Sequence, residues 1–451
     1  MIIKNKKVLV VGAGKTGTAC AHFLNQMGAR VTLADIKKDI EMKEVLEKFK
    51  DTPVVVKTGG YPDVDGSTDL VIVSPGVPLD VLPIKQAHEK GIPVWSELEL
   101  AFRMFNAPVI AVTGTNGKTT TTALIGAMFE DAGKPVVIAG NIGIPLIEKV
   151  SEITSHHVVV VEVSSFQLEC IETFKPKMGI VLNLTPDHLD RHGTLENYAR
   201  AKERIFLNQS QGDFSILNYD DPRVKKMSQS TKGEVIFFSI KHTLEQGAYL
   251  FENKIYLALG DRAVPVIDRK DIFIKGEHNV QNALAAVLAG AVMGLEIESM
   301  SSTLKTFKGV PHRLEFVDEI DGVKYINDSK GTNPDASIKA LLAFDEPIVL
   351  IAGGRNKGSD FSQFAEIVKE KARAVVLLGE AADEIYSALK EKGFYEIYKE
   401  NTLEEAVYRA GKIARPGEVV LLSPACASWD MFKSYEERGD LFKSLVASLR
   451  R

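Results

Sequence analysis

The stretch Val112-Thr113-Gly114-Thr115-Asn116-Gly117-Lys118-Thr119-Thr120-Thr121-Thr122 decides how this 451-residue chain is read. The apolar run Pro108–Val112 before it reads as a buried strand, and Thr122–Ala132 after it reads as a helix. A strand, a glycine loop and a helix start make a cradle for phosphate. The first N–H groups of a helix have no partners inside it, and the helix dipole favours an anion there. Gly114 and Gly117 let the backbone approach the phosphates, and Thr115, Asn116 and Thr120 belong to the same loop. Lys118 can reach the outer phosphates, and the Thr119 hydroxyl can ligate Mg²⁺. The general phosphate-loop pattern has a glycine where this chain has Val112, so G-T-N-G-K-T is a shorter variant. A glycine turn with a chance lysine is the bland alternative, and the position between strand and helix argues against it.

Upstream, residues 1 to about 98 alternate strand and helix. Strands are expected at Lys7–Val11, Arg30–Ala34, Pro53–Lys57, Leu70–Ser74 and Pro93–Trp95, with helices such as Thr18–Met27 and Val81–Glu89 between them. Such alternation implies a parallel sheet covered by helices, a Rossmann-like α/β domain. Its first turn, Gly12-Ala13-Gly14-Lys15-Thr16-Gly17, is a G-x-G-x-x-G after a strand, and Asp35 follows at about the ribose-binding separation. Alone, that pair reads as an NAD site. The glycines, however, specify phosphate near a helix start, not nicotinamide. Ser74-Pro75-Gly76 ends a later strand on the same sheet edge, where ligands of open α/β sheets bind, so a nucleotide diphosphate is expected here.

Downstream, residues from about 99 to about 309 read as a central phosphate-loop α/β domain, opened by a linking helix Glu97–Phe105. Strand Val136–Ala139 leads to the loop Gly140-Asn141-Ile142-Gly143. The run Val158–Val163 is a buried strand with one acid, Glu162, near its end; such an acid is costly unless paired or bound to a cation. After a phosphate loop, the obvious cation is Mg²⁺. Met178–Leu184 is the next strand and runs into Thr185-Pro186-Asp187-His188-Leu189-Asp190-Arg191-His192, a cluster suited to metal and phosphate chemistry. Helix Leu195–Phe206 carries Lys202, which spacing alone would leave on a solvent face. Residues 214–274 add extra strands, FSILNY, VIFFS, YLFENKIYLAL, AVPVID and IFI, including a hairpin turning at Asn253-Lys254. Asn279 and Asn282 open an alanine-rich helix, either as caps or as contacts to a nucleotide base.

Residues 310–451 form a third, Rossmann-like α/β unit. A hairpin, Leu314–Val317 with Val323–Asn327, leads to Asp328-Ser329-Lys330-Gly331-Thr332-Asn333. Strands are expected at Pro347–Ala352, Ala374–Gly379, Glu396–Tyr398 and Glu418–Ser423. Two of them end in loops at the ligand edge, Gly353–Gly358 and Ser423–Trp429.

A net charge of −5 gives no reason to expect a nucleic acid or a membrane surface as partner. The three cysteines, Cys20, Cys170 and Cys426, are far apart and form no C-x-x-C, which suits a reducing compartment. The lysines and apolar run of MIIKNKKVLVVGAG are too short for a signal peptide, and no stretch approaches the ~20 apolar residues of a membrane helix. A cytoplasmic enzyme is the default. The residues alone thus point to an ATP-using enzyme with a second phosphate-bearing ligand on its first domain.

The chain also resembles the Mur ligases, along essentially its whole length. VTGTNGKTTT, GNIG, EVSSFQLE, NLTPDHLDRH, YARAKERI, GEHNVQNALAA, PHRLE, NDSKGTNPDA and LLSPACASWDMFKSYEERG occur in the family's order. The ending SPACASWDMFKSYEERG and the loop AGGRNKGSDF point to the branch that adds glutamate, and the DNPR box of the branch adding a diamino acid is absent. The resemblance implies that the carboxylate of UDP-N-acetylmuramoyl-L-alanine takes the γ-phosphoryl group of ATP. The amine of D-glutamate then attacks the acyl phosphate, and phosphate leaves.

It also implies roles. Lys118, Thr119 and Glu162 would serve the γ-phosphate and one Mg²⁺; His188 and Lys202 a second, with Lys202 carrying a CO2-derived carbamate. Asn279, Asn282, Arg313 and Asp328 would surround the adenosine. Gly14, Lys15, Thr16, Asp35, Ser74, Pro75, Gly76 and Asn141 match the UDP-sugar region, and Thr332, Lys357, Ser428, Trp429 and Tyr435 the D-glutamate region. Two of these depart from the pattern: Tyr435 stands for a phenylalanine and Trp429 for a leucine. A monomer that closes on its small-molecule ligands is expected. Three competing readings remain open: another amide ligase of the same three-domain plan, adding a different amino acid or acting on a folate; an NAD-dependent oxidoreductase; and a phosphate-loop switch or binding protein. The glycine turn argues against folate, the second reading leaves the phosphate loop and the third domain unexplained, and the third leaves the two late loops idle.

Overall fold

Buried β-branched runs separated by amphipathic helices build three sheets. The computed structural model describes residues 3–141, 143–260 and 262–450; Ile142 of the GNIG loop and the side chain of Asp190 lie outside the described residues.

Two compact units divide the chain. The first holds residues 1–269 and 281–303, the second residues 270–280 and 304–451. In the first unit, β1 (Lys7–Val11), β2 (Arg30–Ala34), β3 (Val55–Lys57), β4 (Leu70–Val73) and β5 (Val94–Ser96) form an all-parallel sheet in the order β3-β2-β1-β4-β5. The order reverses at β1/β4, which is where a crevice opens at the strand ends of such sheets. The glycine turn and Ser74 lie at that point.

The second sheet of this unit contains β6 (Val109–Thr113), β7 (Val136–Gly140), β8 (Val158–Glu162), β9 (Met178–Val181), β10 (Phe214–Asn218), β11 (Glu234–Ser239), β12 (Gly247–Phe251), β13 (Lys254–Ala258) and β14 (Ala263–Asp268). Its order is β14-β13-β12-β11-β10-β9-β6-β8-β7, parallel from β7 through β12 and antiparallel at the β12-β13-β14 end. β6 and β8 are buried on both faces, as their unbroken apolar runs require. Each buried valine or isoleucine there contributes about 1.5–3 kcal/mol relative to exposure.

In the second unit, β15 (Glu315–Ile320), β16 (Val323–Asn327), β17 (Ile348–Gly353), β18 (Ala372–Leu378), β19 (Ile397–Lys399) and β20 (Val419–Leu422) take the order β15-β16-β20-β17-β18-β19. Strands β16 to β19 are parallel, and β15 adds an antiparallel edge.

Several expectations need correction. Ile272-Phe273-Ile274 is not a strand; it follows the short 3-10 turn Arg269–Asp271 as irregular chain. The β12–β13 hairpin turns at Glu252-Asn253, one residue earlier than read, because the two central residues of this turn type must both take positive φ, here 47° and 59°. The linking helix stops at Phe102, and Leu195–Glu203 tightens into a 3-10 turn at Arg204–Phe206. The helix Glu277–Val292 begins before Asn279 and Asn282, so neither residue caps it.

Candidate active site

The phosphate loop lies at the C-terminal end of β6, and its helix starts at Lys118, four residues before the expected Thr122. Gly117 is the residue before that helix, with φ 85°; a Cβ there would lie 2.3 Å from Asn282 Oδ1. Only glycine suits both constraints. Asn282 is therefore brought against the loop, and Thr121 Oγ1 donates to its Oδ1 at 3.2 Å. Asn279 lies one turn earlier on the same helix and donates from Nδ2 to the Lys275 carbonyl at 2.7 Å.

Asn183, just beyond β9, latches the loop from the other side. It accepts from the Asn116 N–H (2.9 Å) and donates to the Asn116 carbonyl (3.1 Å). The Thr115 hydroxyl accepts from the Thr185 N–H at 3.0 Å and donates to its carbonyl at 3.1 Å. Thr115 and Asn116 thus shape the loop. The Thr120 hydroxyl is buried without a hydrogen-bond partner.

Lys118 Nζ donates to the carbonyls of Gly114 (2.9 Å) and Thr115 (2.8 Å). Lys202 Nζ donates to the same Gly114 carbonyl (2.9 Å) and to Thr113 Oγ1 (3.3 Å). Lys202 is only 1% exposed, against the expectation of a solvent face. Its helix lies with that face inward, and the Tyr198 ring one turn earlier covers the amine at 4.5 Å. Burial, followed by the Lys118 charge, holds the Lys202 amine well below the usual lysine range. A neutral amine is the form that CO2 carbamylates, so the buried pocket fits a carbamate on Lys202. An anion there would also lie beside the Lys118 ammonium, which donates to the same Gly114 carbonyl.

Glu162 ends β8 beside β6, paired in register with Val112, and is 1% exposed. Asn141 donates its N–H to the Glu162 carbonyl (2.9 Å) and its Nδ2 to Oε1 (3.4 Å). Among the described residues, no cluster of three or more His, Cys, Asp and Glu side chains could by itself hold a metal. Mg²⁺ keeps several waters and is held by one or two carboxylates plus substrate phosphates. Glu162 and the Thr119 hydroxyl fit that role. His188, in the left-handed region at φ 52°, packs on Phe166 (5.0 Å between ring centres) and faces Tyr198 at 6.4 Å. Tyr198 thus neighbours both His188 and Lys202, a placement that motif order alone did not reveal.

On the first sheet, Gly14 precedes the helix Lys15–Gln26, with nothing within 4 Å of where its Cβ would be. Gly17 is there for packing: a Cβ would fall 1.8 Å from the Gly12 carbonyl oxygen. Asp35 follows β2, and its carboxylate accepts from the N–H groups of Ala13 (2.8 Å) and Lys37 (3.0 Å). It buttresses the glycine turn. Ser74 does the same, donating to the Gly12 carbonyl at 2.8 Å, whereas Pro75 is half-buried and Gly76 exposed. Lys15 reaches the Gly143 carbonyl, so the glycine turn and the GNIG loop face each other, with half-buried Thr16 alongside. Arg191 donates to the Val77 carbonyl (2.9 Å), just past Ser74-Pro75-Gly76, and to Glu169 (3.1 Å).

In the second unit, three loops meet at the ends of β16, β20 and β17. Ser423 donates to Asp328 (2.7 Å), and Arg355 and Ala427 exchange backbone hydrogen bonds (2.9 and 3.0 Å). Buried Arg438 donates to Ser329 Oγ (2.9 Å), the Ser329 carbonyl (2.8 Å) and the Cys426 carbonyl (3.3 Å). Its only sequence signal was the EERG after the last loop. Burial pushes the Asp328 carboxyl up to about 6, opposed by its hydrogen bond from Ser423 and by neighbouring Arg313, whose Nε is buried without a partner. Thr332 and Tyr435 are half-buried, Ser428 is buried, Lys357 is exposed and Trp429 is 62% exposed.

The comparisons with known proteins agree along the chain. Family models match at residues 6–96 (Mur ligase MurD-like, N-terminal domain), 112–290 (Mur ligase middle domain) and 312–426 (Mur ligase, glutamate ligase domain). The UDP-N-acetylmuramoylalanine–D-glutamate ligase of Pelotomaculum thermopropionicum is 54% identical, over 99% of this chain and 98% of that protein. Its namesake from Caldanaerobacter subterraneus subsp. tengcongensis is 48% identical over the full length of both. For the fold, the UDP-N-acetylmuramate–alanine ligase of Thermotoga maritima superposes with a TM-score of 0.61 at 22% identity, covering 98% of this chain and 99% of that one. A MurF ligase from Thermotoga maritima in complex with ADP gives 0.61 at 17% identity, over 99% and 96%. With family models matching its three parts in order and full-length relatives at such identity, the chain is an enzyme of the Mur ligase family.

Proposed function

We propose that the enzyme joins D-glutamate to UDP-N-acetylmuramoyl-L-alanine at the expense of ATP, in the cytoplasmic assembly of peptidoglycan precursors. The observation that carries the ATP half is the pair Lys118 and Lys202 on the Gly114 carbonyl, with buried Glu162 ending a neighbouring strand. The relatives named for D-glutamate addition support the acceptor.

In this reading, residues 1–98 hold the UDP-sugar, 99–309 the ATP and 310–451 the amino acid. The substrate carboxylate is a poor acyl donor until its oxygen takes the γ-phosphoryl group. The helix start at Lys118 and its ammonium neutralise charge on the phosphates, while the latched loop fixes their position. One Mg²⁺ held by Thr119 and Glu162 and a second held by His188 and a carbamylated Lys202 would supply further charge neutralisation. Lys357 and Ser428 pair with the carboxylates of D-glutamate, with Thr332, Trp429 and Tyr435 around it, so that its amine attacks the acyl carbon. The C–N bond forms, the C–O bond to phosphate breaks, and the amine gives up a proton. Asn279, Asn282, Arg313 and Asp328 hold the adenosine. The protein works as a monomer.

A phosphate-release assay tests this directly. Release is expected only when Mg·ATP, UDP-N-acetylmuramoyl-L-alanine and D-glutamate are all present. Full activity with L-alanine, L-lysine or a folate in place of its counterpart would overturn the assignment.

A further inference from the structure

Glu97 opens the helix Glu97–Phe102 that follows β5, and it is 1% exposed. No step of the reaction uses it, yet a buried acid needs partners. One oxygen accepts from the Ile147 N–H at 2.7 Å, and the other from Gln167 Nε2 at 3.4 Å. These two contacts reach either side of Glu162. Ile147 ends the segment that begins at Gly140, opposite Glu162 in the sheet, and contains Asn141. Gln167 passes the contact on: its Oε1 accepts from the Ser164 N–H and the Ser164 hydroxyl, both at 3.0 Å, two residues beyond Glu162. The segment that reaches the Glu162 carboxylate through Asn141, and the one that continues the chain from Glu162, therefore both end on one carboxylate of the linking helix.

We propose that Glu97 is a positioning residue, which holds the Asn141 and Ser164 segments so that Glu162 presents its carboxylate to Mg²⁺. Its ionisation matters because Gln167 offers only an N–H₂ once its oxygen is committed to Ser164. A carboxylate accepts from both partners. A neutral acid, or an amide in its place, turns a donor toward one of them. Burial pushes the Glu97 carboxyl from its ordinary 4.5 up to about 7, opposed by the hydrogen bonds from Ile147 and Gln167. Of the titratable groups around it, Glu148 on the segment after Pro145 raises it further, and the Cys20 thiol faces it from the helix Lys15–Gln26. The bracing is thus half-formed at about 7, grows as pH rises above that value and is lost as pH falls through it.

The inference rests on the ligase reading, and the test separates the two. Phosphate release by the full-length enzyme, and Mg²⁺ binding to its ATP complex by calorimetry, are measured against Mg²⁺ concentration from pH 6 to pH 8.5, for wild type, Glu97→Gln and Gln167→Met. For wild type, half-saturating Mg²⁺ is expected to rise as pH drops through about 7. For Glu97→Gln it is expected to be about ten-fold higher at pH 8 and flat with pH, with KM for D-glutamate unchanged. Gln167→Met breaks the same link without touching Glu97 and is expected to raise the Mg²⁺ requirement as well. A wild-type Mg²⁺ requirement that is flat through pH 7, or a Glu97→Gln enzyme that keeps the wild-type requirement, would overturn the role. So would variants whose kinetic constants all fall together with their melting temperature. Wild type inert with these substrates at every pH would overturn the ligase reading itself.

Discussion

Lys202 shows how far a residue's surroundings can depart from its sequence context. On a helix rich in charge, a lysine is ordinarily solvated; here it is 1% exposed, under the Tyr198 ring and on the Gly114 carbonyl. An ammonium so placed, with Lys118 on the same carbonyl, loses much of its reason to stay charged. Replacement by alanine is expected to lower turnover by about a hundred-fold. Formate or propionate, supplying an anionic oxygen pair to the space left, is expected to restore part of it in the phosphate-release assay. A variant that no short acid rescues at any concentration argues against a carbamate. Asp35 carries the opposite lesson. Its separation from the glycine turn suggests a ribose contact, and its carboxylate also accepts the Ala13 and Lys37 N–H groups, a bracing role that the spacing did not reveal.

At the scale of elements, periodicity located most strands of the three sheets, because doubly buried strands need unbroken apolar runs. It failed where local geometry, not burial, decided. The Phe251/Lys254 hairpin places a glutamate in a position requiring φ of 47°. Asn-Gly is the pair such a turn prefers. Converting Glu252-Asn253 to Asn-Gly relieves positive-φ strain and is expected to stabilise the unit by about 1 kcal/mol, seen as a higher urea midpoint at unchanged slope. A lower midpoint would mean that Glu252 makes a compensating interaction. The late start expected for the phosphate-loop helix has a similar cause. Runs of threonine read as strand by propensity, yet Thr119–Thr122 are helical because the strand before them and the loop latch leave no other path.

At the scale of the molecule, the two glycine turns lie on two different sheets. The Gly12–Gly17 turn belongs to the first sheet and the Gly114–Gly117 loop to the second, although Lys15 and Arg191 tie their surroundings together. Lys118→Ala is therefore expected to abolish turnover while UDP-N-acetylmuramoyl-L-alanine still binds. Isothermal calorimetry without nucleotide checks this; loss of the binding heat would mean that the phosphate loop also holds the sugar substrate.

What the sequence determined by itself was chemistry that depends on short spacings: a phosphate loop between strand and helix, a lone acid in a buried run, glycine turns at strand ends. Those signals are local, since a glycine needed for a close backbone approach or a left-handed turn is needed whatever surrounds it. Only the tertiary structure decided which distant groups share one neighbourhood. Lys202 against Gly114, Asn282 against Gly117, Asn183 around Asn116, and Glu97 behind both segments flanking Glu162 are all contacts across dozens of residues. They follow from strand order and helix packing, which hydrophobic periodicity constrains in kind but not in pairing.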